Sequence, residues 1–160
     1  MTWGGRVRMP LAPEAEEDPM ADYDNDNVFA KILRGDLPCH KVYEDDAVIA
    51  IMDVMPRADG HVLVIPKAPS RNMLDIAPET IAPLFEAVAK LASAVKAAFG
   101  AEGVTIQQFN ESAGGQVIFH THVHVLPRFT DVPLKPHTGQ MESPEVLALH
   151  ADKVRAALDA

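Results

Sequence analysis

The stretch Val117-Ile-Phe-His120-Thr-His122-Val-His124-Val-Leu-Pro-Arg128 decides the reading of this chain. Its β-branched and aromatic run predicts a strand over Val117–Leu126. Strand side chains alternate between two faces, so Gln116, Ile118, His120, His122 and His124 would share one face. Val117, Phe119, Thr121, Val123 and Val125 would share the other, which is almost wholly apolar and suits a core. The first face lines up three imidazoles, roughly 7 Å apart at ~3.3 Å rise per residue. A structural histidine ordinarily sits alone with a satisfied hydrogen bond, so three in register point to chemistry.

Two chemistries suit such a row. Histidines at i and i+2 on a strand bind zinc when a third ligand arrives from elsewhere. Alternatively, a neutral ring nitrogen attacks phosphorus while neighbouring imidazoles hold the phosphate oxygens. The turn ahead of the row, Asn110-Glu-Ser-Ala-Gly-Gly115-Gln116, is polar and glycine-rich, and lets backbone N–H groups approach an anion. A metal would want a carboxylate or cysteine beside the histidines. Glu111 and Asp131 lie beyond the ends of the run, and Cys39 is the single cysteine. The pattern favours phosphate chemistry and leaves a three-histidine metalloenzyme as the competing reading.

Further out, Asn27–Gly35 reads as a short helix capped by Asp26 or Asn27 and stopped by Gly35, with Val28, Ile32 and Leu33 inward. Lys41–Glu44, Ala47–Asp53 and His61–Ile65 read as strands. Pro78–Phe99 carries the strongest helix signal: Ile81, Leu84, Phe85, Val88, Leu91, Ala92, Val95 and Phe99 step by threes and fours to Gly100. Its prolines at 78 and 83 would delay the regular part to near residue 80. Val104–Asn110 reads as a strand, and Ser143-Pro144 opens a last helix. Strands with a long helix between them, and no βαβ repeat, give an α+β class with an antiparallel sheet.

The chain has 160 residues and a formal charge of −9, with 48% hydrophobic residues, which fits one globular domain. Acidity argues against a protein that coats polynucleotides, whose phosphate contacts need a basic face. Residues 1–26 alone carry a net −5 and read as a solvated acidic tail. A lone cysteine fits a reducing compartment. With neither a signal segment nor a spanning run, the expected location is the cytoplasm, away from membranes.

Asn110…Gly-Gln116-x-x-x-His120-x-His122-x-His124-x-x-Pro-Arg128 closely resembles the histidine triad (HIT) family, most of all its nucleotide-binding Hint branch. Phe29-Ala-Lys-Ile-Leu-Arg-Gly-Asp-Leu-Pro38, Val42-Tyr-Glu-Asp-Asp46, Met52-Asp-Val-Met-Pro56 and Gly60-His-Val-Leu-Val-Ile-Pro-Lys67 follow the same order and spacing. The resemblance spans residues 27–130, leaving 131–160 as a C-terminal extension with a helix.

It implies a five-stranded antiparallel sheet with a long helix and a short N-terminal one, usually in a homodimer. It also implies hydrolysis of purine nucleoside 5′-phosphoramidates or related derivatives without a cofactor. By the resemblance His122 is the nucleophile that forms a nucleotidyl-histidine. His124 and Asn110 hold phosphate oxygens, and His120 and His61 complete the cluster. Asp53 would bind the ribose, Phe29, Ile32, Val54 and Leu63 would wall the base, and Gln116 and Val117 would border the substrate.

The chain also departs from the family. Val117 stands where many relatives have Ser or Thr, Asn110 is one position closer to His120 than in animal Hint proteins, and Thr121 replaces an apolar residue. Asn27 and Ala30 occupy the places of the two cysteines that bind zinc in some bacterial relatives, so no such zinc is expected. His40, His137 and His150 read as surface residues. A dinucleoside polyphosphate hydrolase, and a nucleotide-binding protein with incidental catalysis, are the alternatives.

Overall fold

β-branched runs too short for helices build the sheet. In the computed structural model, which describes residues 23–137 and 139–160, β1 (Lys41–Glu44), β2 (Val48–Met52), β3 (Val62–Pro66), β4 (Gly103–Gln107) and β5 (Val123–Arg128) form one sheet. Its order is β1-β2-β3-β5-β4 and every pairing is antiparallel. The first 22 residues of the expected tail lie outside the described residues.

β2 and β3 are buried along their whole length, which is why they read as continuous apolar runs instead of alternating ones. One sheet face, with Val48, Ala50, Val62, Val64, Val123 and Val125, packs against α2 (Pro78–Phe99) and α3 (Pro144–Leu158). The other face, with Ile49, Ile51, Leu63 and Ile65, packs against Phe29 of α1 (Val28–Arg34). His124 pairs with Leu63 across the ladder, so the histidines open on this second, α1-covered face.

Several expectations change in detail. The strand foreseen over Val117–Leu126 begins only at Val123, so strand alternation positions His124 but neither His120 nor His122. The chain ahead of it is tied elsewhere: Thr121 N–H donates to the Ser70 carbonyl, and their hydroxyls lie 2.6 Å apart. β4 ends at Gln107 rather than Asn110.

α2 starts at Pro78, because Pro83 falls early enough to remove one ladder bond without breaking the helix. Its buried stripe is Leu84, Ala87, Val88, Leu91, Ala94 and Val95, whereas Ile81 and Phe85 stay partly exposed. On α1, Asn27 Oδ1 caps the Ala30 N–H and Gly35 ends the helix at φ 83°. Phe29 takes the inward place there, and Val28 is exposed instead.

The chain after 130 shares the common core. Ser143 caps α3, and Leu147, Ala151 and Val154 pack with α2 and the sheet. Before α3, Lys135 N–H donates to the Arg57 carbonyl and Glu142 N–H to that of Val54, drawing this segment across the loop after β2. Among the described residues no helix is long and apolar enough to cross a membrane.

Candidate active site

A cavity of about 270 Å³ opens on the α1 side of the sheet. Phe29 and Ile32 of α1, Leu63 of β3 and Val54 just past β2 give it apolar walls, and Asp53, Gln116, Val117, His122 and His124 also line it. His61 and His120, fully buried, lie behind this lining. Asn110 is directed away: its Oδ1 accepts from Met73 N–H at 2.9 Å and from Gln108 Nε2 at 3.0 Å, and its Nδ2 donates to Gln108 Oε1 at 2.7 Å. Phe109 fills the cavity wall in its place.

Backbone groups fix the proton on each histidine, since a carbonyl only accepts and an amide N–H only donates. His120 Nε2 donates to the Pro66 carbonyl at 2.8 Å, so its Nδ1 accepts, and the Tyr23 hydroxyl donates to it at 2.5 Å. His122 Nδ1 donates to the His120 carbonyl at 2.6 Å, so the lone pair sits on Nε2. His61 Nδ1 accepts from Arg57 N–H at 3.1 Å, so Nε2 carries the proton and donates to His124 Nδ1 at 2.9 Å. His124 is thereby left with a proton on Nε2. Neither His122 Nε2 nor His124 Nε2 has a protein partner among the described residues, and both rings, with centroids 5.0 Å apart, line the cavity. The site thus presents one lone pair beside one N–H donor. That is closer than the ~7 Å of a regular strand, because His122 sits in irregular chain.

The electrostatics keep these rings neutral. Burial pulls His61 down to about 3 and His120 to about 4. It also lowers His122 and His124, the latter further through the neighbouring rings and Arg57. Burial has the opposite effect on a carboxyl, raising Asp53 to about 6 against the pull of its hydrogen bond from Met55 N–H.

The turn before the triad is braced rather than open. Gln116, 4% exposed, accepts from Asn72 Nδ2 and Glu111 N–H and donates to the carbonyls of Arg71 and Ile118. Its amide is thus fully engaged within the protein. Glu111, at φ 63°, receives the Arg71 guanidinium in bidentate fashion and Asn72 Nδ2 besides. These bonds over-determine a backbone angle uncommon for glutamate.

The metal reading has a candidate set in Asp53, His61 and His124, whose ligand atoms lie within 4.8 Å of one another. The donor set does not fit a metal. Ligation through His61 Nε2 would put a proton on Nδ1 facing Arg57 N–H, and His124 Nδ1 already accepts from His61.

Tyr23, Phe109, Arg57 and His137 were not among the sequence candidates. Tyr23, placed in the tail, reaches His120 across 97 positions. Phe109, Arg57 and His137 line the cavity, and His137 does so while staying exposed, as expected of a surface residue. No local pattern marks them, because long-range packing brings them in.

Fold and site together define a histidine-cluster protein whose cavity opens onto an imidazole nitrogen without a partner among the described residues. The sequence profile of the HIT domain matches residues 34–131, and the chain belongs to the HIT family, in its Hint-like branch. It is 41% identical over 104 residues to adenylylsulfatase HINT3 of Arabidopsis thaliana, covering 65% of this chain and 53% of that protein. The chain therefore spans about half the length of that relative.

Among solved structures, a Hit-like protein involved in cell-cycle regulation from Bartonella henselae, determined with an unknown ligand, superposes with a TM-score of 0.80. It is 50% identical, with 84% of this chain and 98% of that one covered. A hypothetical histidine triad nucleotide-binding protein of Sulfolobus tokodaii follows at TM-score 0.75 and 31% identity, covering 82% and 91%.

Proposed function

We propose that this chain is a nucleotide-binding hydrolase that cleaves nucleoside 5′-phosphoramidates or related nucleoside monophosphate derivatives through a nucleotidyl-histidine. The observation that carries this reading is the lone pair of His122 Nε2, fixed by the Nδ1–H···O bond to His120 and aimed at a cavity with apolar walls.

In the first step the Nε2–P bond forms as the bond from phosphorus to the leaving group breaks. The electron pair departs on that group, and an amine takes up a proton from water as it goes. The positive charge developing on His122 is shared with the His120 carbonyl, and His124 Nε2–H donates to a phosphate oxygen. Water then attacks phosphorus, returns the electron pair to Nε2 and sheds a proton, freeing the nucleoside monophosphate. Phe29, Ile32, Val54 and Leu63 suit a flat purine, and Asp53 beside them suits the ribose hydroxyls.

The name of the Arabidopsis relative, an adenylylsulfatase, supports a nucleoside phosphate substrate and admits a leaving group other than an amine. A homodimer in the cytoplasm belongs to the same reading. β4 is a sheet edge bearing the exposed Ile106, and Ile81 and Phe85 of α2 are partly exposed. Burying such surface in a symmetric pair would protect the edge. Turnover of adenosine 5′-phosphoramidate tests the central reading. His122→Ala is expected to lower kcat by about 10⁴-fold or more, and activity surviving that substitution would overturn it.

A further inference from the structure

The N-terminal segment reaches the histidine cluster through Tyr23. Its hydroxyl lies 2.5 Å from His120 Nδ1, and the two rings meet edge-on with centroids 5.7 Å apart. His120 Nε2 already donates to the Pro66 carbonyl, so Nδ1 carries the lone pair and the hydroxyl is the donor. The turn after Tyr23 holds it there. Asn27 donates through N–H and Nδ2 to the Asp24 carbonyl, and Arg34 of α1 donates through Nη1 to the Asn25 carbonyl. α1 also sets Phe29 edge-on to both rings, with centroids 6.3 Å from His120 and 4.8 Å from His122.

His120, fully buried, is thereby tied at three atoms: Nδ1 to Tyr23, Nε2 to the end of β3, and its carbonyl to His122 Nδ1. That carbonyl is the group against which the positive charge of the proposed reaction develops. The His120 ring can take a second proton only at Nδ1, where the Tyr23 hydroxyl occupies the lone pair. A donor to the neutral form disfavours the charged one. Around the ring, α1 brings Phe29 and β3 the Pro66 carbonyl, neither of which ionises. The titratable groups facing it are His122 on its own segment and Tyr23, whose phenol is raised by burial and has Arg34 and Asp24 for charged neighbours. An imidazolium at His120 would stand beside His122 as that ring gains its own charge, and two like charges so close repel.

We propose that Tyr23 is a positioning residue for the nucleophile: its hydroxyl keeps His120 fixed and neutral, so that the cation forming on His122 meets a carbonyl and no second cation. The inference rests on the nucleotidyl-histidine reading and adds a residue from outside the histidine motif to it. No proton passes through Tyr23. Its O–H bond stays intact while the bond from His122 Nε2 to phosphorus forms, and it acts only on the charge that the cluster can hold.

The test follows His120 by nitrogen NMR of the imidazoles through a pH titration, beside kcat and KM for adenosine 5′-phosphoramidate. In the wild-type chain His120 stays neutral down to about 4. Tyr23→Phe removes only the hydroxyl and is expected to raise that midpoint by about one unit, a tenfold gain in proton affinity. The ratio of variant to wild-type kcat is then at least about twofold lower near pH 5 than near pH 8, with KM little changed. A hydroxyl that served structure alone would lower the rate equally at both.

If Tyr23→Phe does not fold, a fluorinated tyrosine at position 23, a stronger donor of nearly the same volume, decides the matter. The His120 midpoint then moves below the wild-type value, and a midpoint that stays in place overturns the proposal. An unmoved midpoint or a flat rate ratio in folded Tyr23→Phe also overturns it and leaves the nucleotidyl-histidine reading standing. Wild-type protein that neither turns over the substrate nor forms an adduct on His122 overturns both.

Discussion

At the scale of single residues, the site works because backbone groups assign the protons. The His120 carbonyl takes the Nδ1 proton of His122, and Arg57 N–H occupies Nδ1 of His61. Neither partner can be removed by a side-chain substitution, so the tautomers follow from the path of the chain. Two side chains act beside them: His61 donates to His124, and Tyr23 completes His120 from the N-terminal segment. Tyr23→Phe leaves a buried imidazole nitrogen without its donor, at a cost of about 1–3 kcal/mol. A lowered melting temperature, read by calorimetry, is the expected result; an unchanged one would mean that solvent replaces the hydroxyl freely. The histidines were legible in the sequence because three in one short run have no ordinary structural use. Tyr23, Arg57 and His137 were not, since each reaches the site through contacts far apart in sequence.

At the scale of elements, the strands and the long helix were legible where one physical rule dominated. Short β-branched runs gave β2 and β3, and steps of three and four gave α2. The rule failed ahead of β5, where residues 116–122 have strand-like composition. There Ser70 takes the Thr121 N–H and Gln116 bonds to two groups of its own loop and two of the segment after β3, so the ladder starts only at Val123. Alternation predicted three evenly spaced imidazoles on one strand face, whereas only His124 stands on the strand. The junction between β2 and β3 offers an element-level test. Gly60 has φ 85°, and a Cβ there would stand 2.4 Å from the Phe99 ring at the end of α2. Gly60→Ala therefore combines an unfavourable backbone angle with overpacking and is expected to cost more than about 2 kcal/mol. Denaturant titration measures it, and a loss below about half a kcal/mol would show that α2 can shift away.

At the scale of the whole molecule, folding hides several titratable rings in one place, and stability must follow pH. His61 and His120 fall from 6.5 to about 3 and about 4, and His122 and His124 are lowered too. A depressed folded pKa gives a contribution that is full above 6.5 and is lost as pH falls toward the folded value. Each such ring removes about 1.4 kcal/mol per pH unit in that window. Asp53, raised from 3.8 to about 6, runs the other way: its contribution is present below 3.8 and lost as pH climbs through about 6. Four rings outweigh one carboxyl, so the melting temperature is expected to fall steadily from pH 7 to pH 4. A flat profile over that range would mean the rings are already charged in the fold. The overall acidity belongs to this scale as well. Much of the −9 lies in residues 1–26, whereas the cavity is lined by neutral imidazoles and Arg57.

The proposed reaction belongs to the assembled molecule, since sheet, loop, helix and N-terminal segment each supply part of the candidate site. The most direct measurement is rapid quench of wild-type protein with a nucleoside 5′-phosphate derivative, followed by intact-mass and peptide mass spectrometry. One nucleotidyl group per chain, mapped to His122 and absent in His122→Ala, is the predicted result. Turnover with no covalent adduct at any quench time, or an adduct on another residue, would contradict it.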